Sequence, residues 1–305
     1  MVDITHKVTT LRTAKAQAIV HVSSAETIAA VVENRVPKGN VFEMAKVAGL
    51  FAVKNTHITI PDCHPLPVEY TAVAYEVEGL EIRIYITVKT VYKTGVEVEA
   101  MHGASVIALT MYDMLKPIDK GISIREIGLV QKTGGKSSFK DKNPAPIQAA
   151  VVVCSDSISK GIKEDRAGKA IVDKLKSHGV QVNSYEVIPD ELELIRERTF
   201  ELTEKHQLVI FTGGTGLSQR DVTPEALEPI LERRIPGVEE AIRSYGQKIM
   251  PFAMLSRSVA GTIGDSIVLA LPGSTNGAKE SMDAVFPHLL HVFRILKGAN
   301  HEPSE

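Results

Sequence analysis

The sequence predicts two domains of different class. The first is an α+β layer, an antiparallel sheet with helices of ferredoxin-like type; the second is a three-layer α/β domain with a mostly parallel sheet. Three observations lead there. At 305 residues the chain exceeds ordinary single-domain size, and two halves of about 150 residues can each bury a core. The stretch "KSSFKDKNPAPIQ" (136–148) is polar and aperiodic and carries Pro-Ala-Pro, an extended-linker composition. Strand-like and helix-like runs alternate throughout the second half, whereas the first contains a hairpin. The expected bounds are 1–140 and 148–305, with 141–147 as linker.

In the first half "AQAIVHV" reads as a strand, and "SSAETIAAVVENR" as a helix with capping-box spacing in Ser23 and Glu26. "VFEMAKVAGLFAVKN" is a second helix entered through the turn "PKGN". "YTAVAYEVEGLEIRIYITVKTVY" alternates on both sides of Glu78-Gly79, as a hairpin does. "VEVEAMHGASVIALTMYDMLK" is a long amphipathic helix with Met101, Met111 and Met114 as core, and "ISIREIGLVQK" a last strand. In the second half "AAVVVCS" has the β-branched run of a strand buried on both faces. "AGKAIVDKLKSHG" is a helix closed by Gly179, "VNSYEVIP" a strand, "DELELIRERTFELTEKH" a helix and "LVIFT" a strand. "PEALEPILERRI" reads as a helix, "DSIVLALPG" as a strand, and "STNGAKESMDAVFPHLLHVFRIL" as one or two helices.

Composition excludes several classes. A hydrophobic share of 44% with 24% charged residues is ordinary for a globular protein. No apolar run approaches the roughly 20 residues of a membrane span, and "MVDITHKVTT" lacks the pattern of a signal peptide. Cys63 and Cys154 stand in no paired spacing, which fits a reducing cytoplasm. With net charge −2, no Trp and no basic run interleaved with aromatics, neither nucleic acid nor membrane is an expected partner. Small molecules or copies of the chain are.

Three strand-to-helix loops of the second half are rich in small residues: "SDSISKG", "TGGTG" and "PGSTNG". In a parallel sheet all three emerge at the carboxyl edge, where backbone N–H groups and helix starts suit phosphate. Tight turns alone would explain any one of them. "TGGTG" lacks the Gly-Lys-Ser/Thr ending of a Walker A loop. Asp221 could pair with its neighbour Arg220, and Thr223 could cap a helix opened by Pro224. Asp190 has the position of an N-cap, with Glu193 completing a box.

The first half offers scattered acid–base groups. Asp113 and Lys116 share a helix face at i, i+3, the spacing of a surface ion pair. His64 sits between Pro61 and Pro65, either as a general acid–base group or as a packed loop residue. Lys93 precedes a turn, Glu97 and Glu99 begin the long helix, and Lys132 and Lys136 flank "TGG".

"SDSISKGIKEDRAG", "VIPDE", "TGGTGLSQRDVTPEAL" and "LPGSTNGAKE" together resemble the MogA/MoaB molybdopterin-binding domain, also found in gephyrin-type proteins, over essentially all of 148–305. The resemblance implies a site for molybdopterin and, in active members, transfer of AMP from Mg-ATP to the pterin phosphate. It implies Asp190 and Asp221 as the functional aspartates and as ligands of Mg²⁺, which prefers oxygen donors. Around the ligands it implies Ser155, Asp156, Gly213, Gly214, Thr215, Gly216, Gly273 and Ser274. Ala167 and Thr275 stand where Ser and Pro are frequent in that family.

"MVDITHKVTTLRTAKAQA", "PKGNVFEMAKVAG", "DCHPL", "KTGVEVEA", "ASVIALTMYDMLK" and "QKTGGKS" resemble MoaC, the cyclic pyranopterin monophosphate synthase family, over nearly all of 1–140. That family rebuilds 3′,8-cyclo-7,8-dihydro-GTP as a cyclic pyranopterin phosphate and releases pyrophosphate, with no redox cofactor. The resemblance implies Asp113 as catalytic residue with Lys38 and Lys116 as partners, and Arg12, Lys38, Lys116 and Lys132 as basic functional positions. It implies Cys63, His64, Val98 and Glu99 as substrate contacts. A triphosphate does call for several fixed cations. Three departures are local: Asn40 where Asp is frequent, "MHG" for a Thr/Ala-rich turn, and Asp62, a carboxylate beside His64. The two families assemble as hexamers and trimers, so a homo-oligomer is expected. Two alternatives are a non-catalytic pterin-binding second domain and a nucleotide-binding relative without turnover.

Overall fold

The computed structural model describes residues 1–135 and 146–296. The chain divides into two compact units, Met1–Phe139 and Lys140–Glu305. Lys136 and most of the expected linker lie outside the described residues. Ile147, its last residue, is buried in the second core.

The first unit runs β1 (Thr10–His21), α1 (Ala25–Val32), α2 (Val41–Lys54), α3 (Thr56–Thr59), β2 (Tyr70–Glu78), β3 (Glu81–Tyr92), α4 (Glu97–Leu115) and β4 (Ser123–Thr133). The sheet has the order β2-β3-β1-β4 with every pair antiparallel, the split βαβ arrangement of ferredoxin-like layers. Alternation decides which face is covered. Ala14, Ala16, Ala18 and Val20 of β1 and Ile82, Ile84, Ile86 and Val88 of β3 are all fully buried in one core with α2 and α4. Each such isoleucine contributes about 1.5–3 kcal/mol by leaving water. A Cβ on Gly49 would lie 2.4 Å from Ile107, and one on Gly103 2.6 Å from Val53, so these glycines let α2 and α4 pack in close contact. Met111 and Met114 are core, with Met101 packed at its edge.

Two local expectations change. The cap of α1 is Ser24, whose hydroxyl accepts from the Thr27 N–H; Ser23 instead binds Asp119. Asn40, in place of the frequent Asp, caps α2 by accepting from the Glu43 N–H at 2.9 Å.

The second unit runs β5 (Gln148–Cys154), α5 (Asp156–Ser159), α6 (Ala167–Ser177), β6 (Gln181–Ile188), α7 (Leu192–Thr203), β7 (Leu208–Thr212), α8 (Thr223–Leu227), β8 (Arg233–Arg234), α9 (Pro236–Gln247), β9 (Val259–Ile263), β10 (Ser266–Leu271), α10 (Thr275–Val285) and α11 (Val292–Leu296). The sheet order is β6-β5-β7-β10-β9-β8; the first four strands are parallel, and β9 pairs antiparallel with both β10 and β8. Side chains of β5, β7 and β10 fill two cores, one per face. One holds Val151, Ile210 and Leu269 with α6, α9 and α10; the other holds Val152, Phe211 and Val268 with α7 and α8. This is the three-layer arrangement.

The expected helix at "PEALEPILERRI" stops at Leu227 and tightens into a 3₁₀ turn over Glu228–Ile230. Pro229 has no N–H to continue an α-helix. Helix α9 and strand β9 add to the elements expected from sequence. No helix among the described residues is long and apolar enough to cross a membrane.

Candidate functional sites

In the second unit the ends of the four parallel strands carry the expected residues. The connection from β5 goes to β6 on one side, and the chain returns to β7 on the other. The crevice of a doubly wound sheet forms at such a reversal, here between Ser155 and Gly213. Gly213 and Gly214 have φ of +100° and +60°, a region costly for other residues. The partner these glycines approach is the chain itself. A Cβ on Gly213 would lie 2.1 Å from the Cys154 carbonyl, and one on Gly273 2.9 Å from Gly213 Cα. A Cβ on Gly214 would lie 2.8 Å from Asp190 Oδ1, and one on Gly216 2.8 Å from Asp221 Oδ2. The glycines therefore draw three loops together and set both aspartates against "TGGTG".

Asp190 is no cap. The N-cap of α7 is Glu191, with no side-chain bond. Instead the Asp156 N–H donates to Asp190 Oδ2 at 3.0 Å, and the Asp190 N–H donates to Asp156 Oδ1 at 3.2 Å. Arg220 makes a bidentate pair with Asp156, not Asp221, at 2.7–2.9 Å. Asp221 Oδ2 accepts from the Ser218 N–H at 2.9 Å. Thr223 does not cap α8; its hydroxyl donates to the Gly213 carbonyl at 3.0 Å and ties the helix to the loop. Ser155 caps α5 and Ser274 caps α10. Thr215 is buried, and its carbonyl accepts from the Arg257 N–H.

One atom stands out chemically. Asp190 Oδ1 is buried with no hydrogen-bond partner among the described residues. Burial raises the pKa of Asp190, and the charges of Asp156 and Asp221 add to the rise against the hydrogen bond from Asp156. A buried acceptor without a protein donor is satisfied by a water, a cation or a proton. Carboxylate oxygens from Asp190 and Asp221 are the donor type a hard divalent ion takes, so the residues fit Mg²⁺. Among the described residues no three His, Cys, Asp or Glu side chains form a ready-made metal cluster.

Sequence reasoning missed two features here. A cavity of about 700 Å³ opens beside the glycine loops, walled by Met250, Phe252 and Leu255 as well as Thr215, Gly216 and Gly273. Arg257, just beyond that apolar wall, grips the loop that carries Asp221. "MPFAMLSR" has no helical or strand period to announce it.

In the first unit the expected residues gather at the two ends of α4. At its C-terminal end Asp113 lies between Lys38 and Lys116, 2.6 Å and 2.7 Å away. The hydrogen bond from Lys116, then that from Lys38, holds the Asp113 pKa at about 2; the carboxylate in turn raises that of Lys116. All three side chains remain open to solvent.

At the N-terminal end the Cys63 thiol donates to Glu99 Oε1 at 3.2 Å. Glu99 is buried and its pKa raised, mainly by that burial; burial and then Glu99 push Cys63 up to about 12, a neutral thiol. Arg12 donates to the carbonyls of Tyr92 and Lys93, and burial lowers its pKa. Lys132 pairs with Glu97 at 3.1 Å, and Val98 is exposed beside it in the first turn. His64 Nε2 lies 2.8 Å from the Val2 carbonyl. Asp62 is turned to the Met1 ammonium at 2.5 Å. Glu99 and Asp113 are fourteen residues apart on one helix, about 21 Å at 1.5 Å per residue. The sequence reading treats them as one constellation; within a single chain the helix keeps them apart.

Residues 1–135 match the MoaC family, and residues 150–291 match the family described as probable molybdopterin binding domain. Over 302 residues the chain is 40% identical to the molybdenum cofactor biosynthesis bifunctional protein of Chlorobaculum tepidum, covering 99% of this chain and 96% of that protein. Over 139 residues it is 48% identical to the cyclic pyranopterin monophosphate synthase of Geotalea uraniireducens, 45% of this chain and 86% of that one. The molybdopterin biosynthesis enzyme MoaB of Thermus thermophilus has a crystal structure that is 37% identical, with a TM-score of 0.48, covering 50% of this chain and 97% of that one. Matched over 99% of its length by a relative of that name, the chain belongs to the family of bifunctional molybdenum cofactor biosynthesis proteins, a MoaC domain followed by a probable molybdopterin binding domain.

Proposed function

We propose that the first unit converts 3′,8-cyclo-7,8-dihydro-GTP to cyclic pyranopterin monophosphate and pyrophosphate, and that the second binds molybdopterin and adenylylates it with Mg-ATP. The observation that carries the first part is Asp113 held ionised between Lys38 and Lys116. Two ammonium groups on an exposed carboxylate are ready to take phosphate oxygens, and charge-assisted bonds to phosphate are strong. Asp113 keeps Lys116 protonated. Proton movement on the substrate then falls to groups that hold or release protons nearer neutrality. Glu99, buried and pushed up, suits that work, with the neutral Cys63 thiol as its donor.

These two ends of α4 meet on one substrate if a second copy supplies one of them. Met44, Val47 and Phe51 of α2 and Leu109 and Tyr112 of α4 are exposed apolar groups, more than a free helical layer needs. A second copy covering them gives the homo-oligomer, hexameric or trimeric, that both resemblances imply.

In the second unit Asp190 and Asp221 would hold Mg²⁺, which would neutralise the nucleotide phosphates when bound. The glycine loops and the capped starts of α5 and α10 offer N–H groups to phosphate. The apolar cavity beside them suits a pterin ring. Incubation with molybdopterin and Mg-ATP, followed by mass spectrometry, tests this: adenylylated pterin is expected. Bound but unmodified pterin would leave the second unit as a binding module.

A further inference from the structure

Arg257 belongs to none of the motifs that pointed to a site, yet it holds the Asp221 loop at both ends. Its N–H donates to the Thr215 carbonyl at 3.3 Å. Its Nε donates to the Gly216 carbonyl at 2.9 Å and its Nη2 to the Asp221 carbonyl at 2.7 Å. Its Nη1 pairs with Glu225, on the first turns of α8.

Buried Thr223 pins the base of the loop, its hydroxyl donating to the Gly213 carbonyl at 3.0 Å and its N–H to the Gly214 carbonyl at 3.1 Å; beyond that base, the tethers other than Arg257 are exposed or internal. Asp221 N–H to Ser218 carbonyl, Ser218 N–H to Asp221 Oδ2 and Arg220 N–H to Ser218 Oγ all join residues of the loop to one another. They set its shape but not its place on the sheet. Residues 216–220 are exposed. Arg220 makes its bidentate pair with Asp156, but its side chain is 63% exposed, and it holds the tip of the loop and not its two ends. The guanidinium fork is suited to clamp two carbonyls and a carboxylate at once; an ammonium offers one point charge.

We infer that Arg257 is a positioning residue: by closing the glycine loop from outside, it fixes the Asp221 carboxylate opposite Asp190. Its neighbours in sequence, Phe252 and Leu255, wall the apolar cavity, so the same residue fastens the cavity wall to the phosphate loop. The part of this that concerns nucleotide rests on the proposed function; the part that concerns the loop does not.

The full chain as wild type, Arg257→Ala, Arg257→Lys and Asp221→Ala is compared by amide hydrogen exchange and by calorimetric titration with Mg·ATP. In Arg257→Ala, amides of 216–222 are expected to exchange about tenfold faster or more, with β5 and β7 still protected. Mg·ATP affinity should fall by about tenfold, and Arg257→Lys should restore only part of either change. Asp221→Ala should lose Mg·ATP affinity and the protection of the Ser218 amide, whose acceptor it removes, while the other amides of the loop stay protected. A folded Arg257→Ala with unchanged loop exchange overturns the inference, as does Asp221→Ala loosening the loop equally. If Arg257→Ala does not fold, unchanged loop exchange in Arg257→Lys overturns it instead. Wild type that fails to bind Mg·ATP would remove the nucleotide reading, while loop exchange would still decide the role of Arg257.

Discussion

Lys38 donates to Asp113 twice, to its carboxylate at 2.6 Å and to its backbone carbonyl at 2.8 Å. One side chain thus binds the entry to α2 to the end of α4 and places an ammonium against the carboxylate proposed as catalytic. With Lys116 on the other side, Asp113 titrates at about 2.

The sign of that shift gives a pH prediction. A depressed carboxylate pKa means the ion pairs are fully present above the ordinary value of 3.8 and are lost only as pH falls through about 2. The acid limb of pyrophosphate release therefore does not report Asp113. Profiles of wild type and Lys116→Ala should show the same acid-side inflection, with activity in the variant lower by about 100-fold. An inflection that moves with Lys116→Ala would identify Asp113 as the titrating group.

Separation along α4 predicts complementation. Asp113→Ala and Glu99→Gln should each be nearly inactive, whereas the two co-expressed should recover about a quarter of wild-type activity through mixed assemblies with one intact site. No recovery would mean that each chain builds its own site.

The unpartnered Asp190 Oδ1 predicts a stability response. A carboxyl whose folded pKa is raised binds its proton more tightly when folded, so stability falls as pH rises through that pKa and stays lower at neutral pH. Mg²⁺ at neutral pH should raise the melting temperature of the second unit by about 2–4 °C, and Asp190→Asn should raise it without Mg²⁺ and abolish the increment. Calorimetric scans of the full chain with and without Mg²⁺ check both.

Asp119 predicts a purely structural loss. It is buried and accepts from the Ser23 N–H and hydroxyl, the Gly121 N–H and the Thr27 hydroxyl. Burial alone would raise its pKa, but these bonds outweigh it and hold it at about 2. Asp119→Ala strands several donors and should cost about 2–4 kcal/mol in denaturant unfolding of the first unit. In wild type that contribution is complete above pH 3.8 and fades as pH falls through about 2.

Periodicity carried most of the architecture, because β3 buries alternating residues, β1 does so up to the run Ala18–Val20, and α4 buries a helical face. Local patterns failed where a distant group competed. The spacing of Ser23 and Glu26 reads as a cap, yet Asp119, 96 positions away, takes Ser23 and leaves the cap to Ser24. Asp190 likewise has a cap's spacing, but Asp156 claims its carboxylate. Helix α9 did carry a readable face in Val238, Ile242 and Tyr245, masked by its Pro-Gly opening. Arg257 and the cavity wall had no local signal at all, since their roles depend on contacts with loops some 40 residues earlier. The residues of the two sites were legible as types of chemistry; which of them meet was not, because helix length separates Glu99 from Asp113.

The most direct measurement is pyrophosphate release from 3′,8-cyclo-7,8-dihydro-GTP by wild type, Asp113→Ala and Asp221→Ala. Two independent phosphate-handling sites predict that Asp113→Ala abolishes release while Asp221→Ala releases at the wild-type rate. Release that survives Asp113→Ala, or that falls equally in Asp221→Ala, would contradict the account.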